Sequence, residues 1–390
     1  MNGLVESRID VPEAVLDDLR ARLRATRWPD ELADARGRWG PRREFVQRLC
    51  AHWADGYDWR RTEARLNAYP QFETTIDGQK IHFLWVRSTA SRHIPLLLTH
   101  GWPGSVVEFL DVIEPLAHPG DRGAADALGF DLVIPSLPGY GFSGPTSESG
   151  WNLQRIARAW QALMARLGYP RYGAQGGDYG SMVSARLALL APGEMIGLHL
   201  NMALVPRGTG ELSELEQADL KDVVTFLKTG SAYQVIQGRA PQTVAYGLSD
   251  SPAGLAGWIL DKFERWSDHD GDPEEAIARD RLLDNLTVYW VTNTINSSMR
   301  LYAEAQRIDD FGPTREKVTV PTGVAIFPKE MFRYPRAWLE QAFDLVRYER
   351  MPRGGHFAAM EEPDLLVADV RAFFAGLIRR DDDETPDRLR

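Results

Sequence analysis

Gly176-Gly177-Asp178-Tyr179-Gly180 sets a carboxylate between glycines two positions away on either side, directly after one predicted strand and before one predicted helix. Small residues at those spacings let the backbone turn sharply and present the central side chain at a helix N-terminus, as in a nucleophile elbow. With Asp at the centre, the chemistry is attack of a carboxylate on carbon, giving an ester whose hydrolysis regenerates the acid. The pentapeptide alone fits equally well an Asp that caps the helix starting at Tyr179.

Three further loops bear on that choice. His100-Gly101-Trp102-Pro103-Gly104-Ser105 follows a predicted strand over 95–99. A loop there can supply the Trp102 backbone amide, which with the amide of Tyr179 would form an oxyanion hole. By itself the segment is also an ordinary Gly-Pro turn, and His100 reads as structural. Met351-Pro352-Arg353-Gly354-Gly355-His356-Phe357 follows the last predicted strand, so His356 stands in a Gly-rich loop in the chain order nucleophile, acid, histidine. Between them, Phe327-Pro328-Lys329-Glu330 lies just past a strand over 319–327, which makes Glu330 the candidate acid rather than a plain surface charge. Glu340 and Asp344 fall within or at the end of a predicted helix, where solvated side chains are expected. Asn201 carries no acid.

These loops need a scaffold that brings their strands to one edge. Strand patterns over 81–86, 95–99, 131–135, 171–175, 319–327 and 345–351 alternate with helical ones over 152–167, 181–191 and 363–378. Such alternation predicts an α/β fold, a mostly parallel sheet with helices on both faces, whose carboxyl edge binds ligands. Asp77-Gly78 predicts a tight turn before the first of these strands. Helical periodicity dominates residues 12–67, with Val15, Leu16, Leu19 and Leu23 forming a stripe. It dominates again from 205 to 314, a helical insertion that interrupts the sheet. The expected organisation is an N-terminal extension over 1–92, a core over 93–204 and 316–380, a helical cap over 205–315, and a charged, disordered tail over 381–390.

Composition removes several alternatives. A net charge of −10, with basic residues scattered rather than striped, argues against nucleic acid or an anionic membrane as partner. Cys50 is the only cysteine, which excludes an intrachain disulfide and a thiolate metal cluster; it reads as a small buried apolar residue. Residues 1–10 carry Glu6 and Asp10 and lack an apolar signal core, and no run approaches the ~20 apolar residues of a membrane-spanning helix. A soluble cytoplasmic protein is expected.

Taken together, the motifs resemble the epoxide hydrolases of the microsomal and juvenile-hormone type, a branch of the α/β-hydrolases, over nearly the whole chain. Arg27-Trp28-Pro29, Tyr57-Asp58-Trp59-Arg60 and the segment 72–83 resemble the N-terminal extension that wraps the catalytic domain in that family. Segments 248–263 and 286–298 resemble its cap. The resemblance implies that two cap tyrosines hold the epoxide oxygen, and on the matching segments Gly230-Ser231-Ala232-Tyr233 and Ser298-Met299-Arg300-Leu301-Tyr302 these are Tyr233 and Tyr302. Unlike the microsomal members, the chain is expected to lack a membrane anchor, and so it resembles a soluble bacterial member. Some such members act in natural-product assembly, including that of enediynes, but no residue here identifies such a substrate.

The resemblance implies a small apolar or aromatic epoxide as substrate, water as co-substrate, and no metal or organic cofactor. Asp178 would open the ring while the tyrosines protonate the oxygen, and His356, oriented by Glu330, would activate water against the resulting ester. Trp258, Phe263, Tyr289 and Trp290 are candidates for the apolar wall. A haloalkane or haloacid dehalogenase shares the Asp and His but needs halide donors, a role open to Trp102. A non-catalytic small-molecule binder on the same fold is the third alternative. The oligomeric state, with a homodimer as one option, is not readable.

Overall fold

A computed structural model describes residues 3–34, 37–123, 126–308 and 310–384. The described strands are β1 (Val5–Ser7), β2 (Gln71–Ile76), β3 (Gln79–Val86), β4 (His93–Thr99), β5 (Gly129–Pro135), β6 (Tyr172–Gly176), β7 (Met195–Leu200), β8 (Val318–Ile326) and β9 (Phe343–Arg350). They form one sheet in the order β1-β2-β3-β5-β4-β6-β7-β8-β9. The pairs β1–β2, β2–β3 and β3–β5 are antiparallel, and every pair beyond β5 is parallel. The β2–β3 hairpin turns on Asp77 and Gly78, with φ of 50° and 77°, the pair of left-handed residues that a two-residue type I′ turn requires.

The apolar runs in the central strands serve two layers at once. Leu97 and Val133 belong to one core, whereas Leu96, Leu98, Leu132 and Ile134 belong to the other, because successive side chains leave opposite faces of a strand. Helices Leu153–Arg166 and Asp178–Leu190 cover the first face. Helices Ile113–Ala117 and Pro363–Glu384 cover the second. Asn152 starts the first of these by accepting the Arg155 amide at 3.0 Å, as an N-cap side chain does.

Between β7 and β8 the chain runs through helices from Glu214–Thr229 to Ile295–Arg307. The N-terminal helices Arg43–Asp55 and Trp59–Leu66 brace this insertion. The Trp53 indole donates to Thr287 Oγ1 at 2.9 Å, the Tyr57 hydroxyl donates to Asp284 at 2.8 Å, and Arg42 pairs with Glu264 at 3.0 Å. No helix among the described residues is long and apolar enough to cross a membrane.

The structure departs from expectation at three boundaries. The helix expected from Ser181 begins at Asp178 itself. Asp344 lies in β9 rather than a helix: the helix Arg336–Ala342 ends one residue before buried Phe343, where the chain becomes extended and leaves Asp344 exposed. The last helix runs on to Glu384, into the expected tail, because adding residues to an existing helix costs far less than starting one; residues 385–390 lie outside the described set.

Candidate active site

Since β4 to β9 are parallel, the loops after β4, β6, β8 and β9 leave the sheet at the same edge. They carry Trp102, Asp178, Glu330 and His356 respectively. The elbow after β6 packs so tightly that only glycine fits around it. A Cβ on Gly176 would lie 2.4 Å from the Gly180 carbonyl carbon, and one on Gly180 would lie 1.8 Å from the Thr99 carbonyl oxygen at the end of β4. Asp178 is held at φ 47°, a left-handed conformation costly for a residue with a Cβ.

That geometry disposes of the helix-cap alternative. Gly177 takes the N-cap position and no side chain caps the helix. Asp178 instead turns outward, its Oδ1 accepting the Trp102 amide at 2.9 Å, while Oδ2 stands 3.4 Å from His356 Nε2. The other ring nitrogen of His356, Nδ1, meets Glu330 Oε2 at 2.8 Å. Glu330 is fully buried, and its second oxygen accepts the Phe332 amide at 3.1 Å. Burial works against a charged His356, but the Glu330 and then the Asp178 carboxylates overcome it and hold the ring well above its ordinary value.

The supporting contacts come from every side. His100, pushed down to about 4 by burial, accepts the Leu137 amide at Nε2 and donates from Nδ1 to the Gly101 carbonyl, so it pins the loop as a neutral ring. Asn285 and Tyr289, on the inserted helix Arg279–Thr292, donate to the Pro103 and Gly104 carbonyls at 2.6 and 2.8 Å. The His356 amide donates to Trp266 O at 2.9 Å, tying the histidine loop to the end of helix Pro252–Trp266.

Tyr233 and Tyr302 come together against the Trp102 ring. Tyr233 stacks on the Trp102 ring at 5.4 Å between centroids, Tyr302 meets it edge-on at 5.7 Å, and the tyrosines lie 5.9 Å apart. Both are buried, and burial raises both phenols above their ordinary value, which keeps them protonated. The Trp102 indole nitrogen is buried without a protein partner among the described residues. No three His, Cys, Asp or Glu side chains among those residues cluster as a metal site.

The family model described as "Epoxide hydrolase N terminus" matches residues 4–109, and that of the "alpha/beta hydrolase fold" matches residues 94–233. "Epoxide hydrolase 1" of Sus scrofa is 38% identical, the match covering 96% of this chain and 88% of that one. The chain belongs to the epoxide hydrolase family. A Stigmatella aurantiaca protein that carries an epoxide hydrolase name is 45% identical, over 96% of this chain and 86% of that protein. The crystal structure of juvenile hormone epoxide hydrolase from the silkworm Bombyx mori superposes with a TM-score of 0.88 at 32% identity, covering 97% of this chain and 95% of that one.

The aromatic lining of this epoxide hydrolase family member differs from the sequence-based expectation. Phe263 stacks on Phe357, Tyr289 serves the loop after β4, Trp258 donates to Gln237, and Trp290 lies near Arg22. The rings around the tyrosine pair are instead Trp102, Tyr179, Trp266 and Phe311. Trp266 touches both Tyr233, at 5.4 Å, and His356, at 5.1 Å. Its position three residues after Phe263 on one helix face was the available signal. A much larger recess, about 690 Å³ and lined by Trp28, Leu32, Trp39 and Gly254, shares no residue with this site.

Proposed function

We propose that the chain converts a small apolar or aromatic epoxide into a vicinal diol through an ester on Asp178. The observation that carries this is the split environment of one carboxylate, Oδ1 on the Trp102 amide at 2.9 Å and Oδ2 facing His356 at 3.4 Å. Oδ2 attacks a ring carbon and the C–O bond breaks. The departing oxygen takes a proton from Tyr233 or Tyr302, whose buried phenols stay protonated until charge develops on it. The rings packed around Trp102 must part to admit the substrate.

In the second step Glu330 orients His356, which removes a proton from water as that water attacks the ester carbonyl. The oxyanion then forms at Oδ1, on the Trp102 amide and, by its place in the chain, the Tyr179 amide. When the ester bond breaks, the departing alkoxide takes the proton left on the new carboxyl oxygen, which frees the diol and restores the Asp178 carboxylate, and the proton held by His356 restores the phenol. Residues 205–315 act as a cap and residues 1–92 as the extension that braces it. A cytoplasmic setting fits the single, buried Cys50.

The test uses an aryl epoxide. A folded Asp178→Ala variant should form no diol, and His356→Gln should gain the mass of the epoxide on the peptide containing Asp178. Parental turnover by Asp178→Ala would overturn the proposal. So would halide release from a haloalkane without diol formation from any epoxide in a panel.

A further inference from the structure

Behind the reacting carboxylate lies a recess of about 20 Å³, enough for one water molecule. Its wall includes Asp178, His356, Asn201, Gln175 and Glu108. Only the first two have a task in the proposed reaction.

Two independent features mark this recess as a water site. Gln175, on β6, is buried, and its amide nitrogen donates to Asn201 Oδ1 at 2.8 Å, yet its Oε1 has no donor among the described residues. A buried acceptor left without a protein donor calls for water. The second feature is how Glu108 gets there. A Cβ built on Gly104 would lie 1.2 Å from Glu108 Oε1, so the carboxyl fills the space that a side chain at 104 would need. Glycine at 104 therefore lets Glu108 fold back beneath its own loop toward the nucleophile.

We propose that Glu108 holds the attacking water of the second step. The inference rests on the ester chemistry proposed above. The water gives one proton to His356 Nε2 and directs the other to a Glu108 carboxyl oxygen, which leaves a lone pair free to attack the Asp178 carbonyl carbon. Glu108 is half-buried and borders the recess. Burial pushes that carboxyl up to about 8, with His356 opposing and Asp178 reinforcing the rise. A neutral carboxyl keeps a carbonyl oxygen for the water without adding a second negative charge beside Asp178.

A purely structural role is the competing explanation. Glu108 belongs to the turn Val106–Phe109, and the Ser105 amide donates to its carboxyl group, as in half a capping box. Loss of that role would lower stability and slow both steps together. Loss of a water ligand slows the second step alone.

The experiment follows single turnovers of styrene oxide by tryptophan fluorescence and intact mass. The full-length chains compared are the parent, Glu108→Met, Glu108→Gln and Glu108→Asp. In Glu108→Met, ester formation should stay within about twofold while ester hydrolysis falls about tenfold or more, the worth of one hydrogen bond to the reacting water, so the adduct accumulates. Glu108→Gln, which keeps a carbonyl at the same reach, should recover most of the hydrolysis rate. Glu108→Asp, with a shorter reach, should behave like Glu108→Met and serves if that variant does not fold. Hydrolysis at the parental rate in both Met and Asp variants, or parallel slowing of both steps, would overturn the assignment. Absence of an adduct in His356→Gln would instead sink the ester mechanism itself.

Discussion

Gly101→Ala separates the chemistry of this site from its fold. The added methyl would lie 2.4 Å from both Cβ and Oδ1 of Asp178, where ordinary contact begins at 3.4 Å. The difference of about 1 Å falls on Asp178: rotation can move Oδ1, but Cβ moves only with the elbow backbone, an overpacking cost of about 1–3 kcal/mol. A shift of ~1 Å in a reacting group costs about a hundredfold in rate, and loss of one oxyanion donor costs a similar factor, here the Trp102 amide now at 2.9 Å. Initial rates of diol formation should therefore fall at least about a hundredfold, or ~2.7 kcal/mol in kcat/KM, while the thermal midpoint moves by only a few degrees. Gly180→Ala is the control: its methyl would lie 1.8 Å from a backbone oxygen of β4, so that variant should lose stability together with activity. If Gly101→Ala kept half the parental rate, the claim that the Trp102 amide positions Asp178 would be wrong.

Other outcomes follow from the same contacts. Glu330→Gln should leave ester formation near the parental rate and slow ester hydrolysis about a thousandfold or more, read as adduct accumulation by mass. Tyr233→Phe and Tyr302→Phe should each slow ester formation, roughly tenfold to a hundredfold with one phenol remaining, and the double variant should form no ester in stopped-flow traces. His356 is held above its ordinary value of 6.5, so the stability gained from its charged form is complete below 6.5 and is lost as pH rises through the raised value. The urea-unfolding difference between parent and His356→Gln should accordingly shrink as the solution is made alkaline. Arg186 and Asp310 form a buried pair at 2.7 Å, so Arg186→Met should cost about 3–5 kcal/mol by leaving the buried Asp310 charge without its cation, measured by urea titration.

How far the sequence led depended on distance along the chain. Strand patterns fell within two residues of the observed ends of β4, β5 and β6, because an apolar run bounded by turn residues is a local signal. Glu330 and His356 were legible for a related reason: each follows a strand, and a parallel sheet carries all such loops to one edge. Tyr233 and Tyr302 entered only through family resemblance, since nothing near either residue encodes the 5.9 Å between them. The helix start at Asp178 was missed because the left-handed residue that opens it is imposed by packing against β4. Trp266 had only its spacing from Phe263 to mark it, because its place beside His356 depends on a contact between distant segments; Glu108 had no motif, because its place beneath Gly104 depends on how its own loop folds back.

The bracing of the insertion by the N-terminal helices bears on how this scaffold could be recombined. Tyr233 and Tyr302 hang from helices whose neighbours are bolted to Trp53, Tyr57 and Arg42, more than two hundred residues earlier. The unit proposed to frame the substrate is thus discontinuous in sequence. A chimera carrying a relative's residues 205–315 alone would inherit new tyrosines on a mismatched brace, whereas one carrying residues 1–92 as well would bring the tyrosines together with their brace. Exchange of substrate range between members should therefore proceed by paired segments rather than by a single graft.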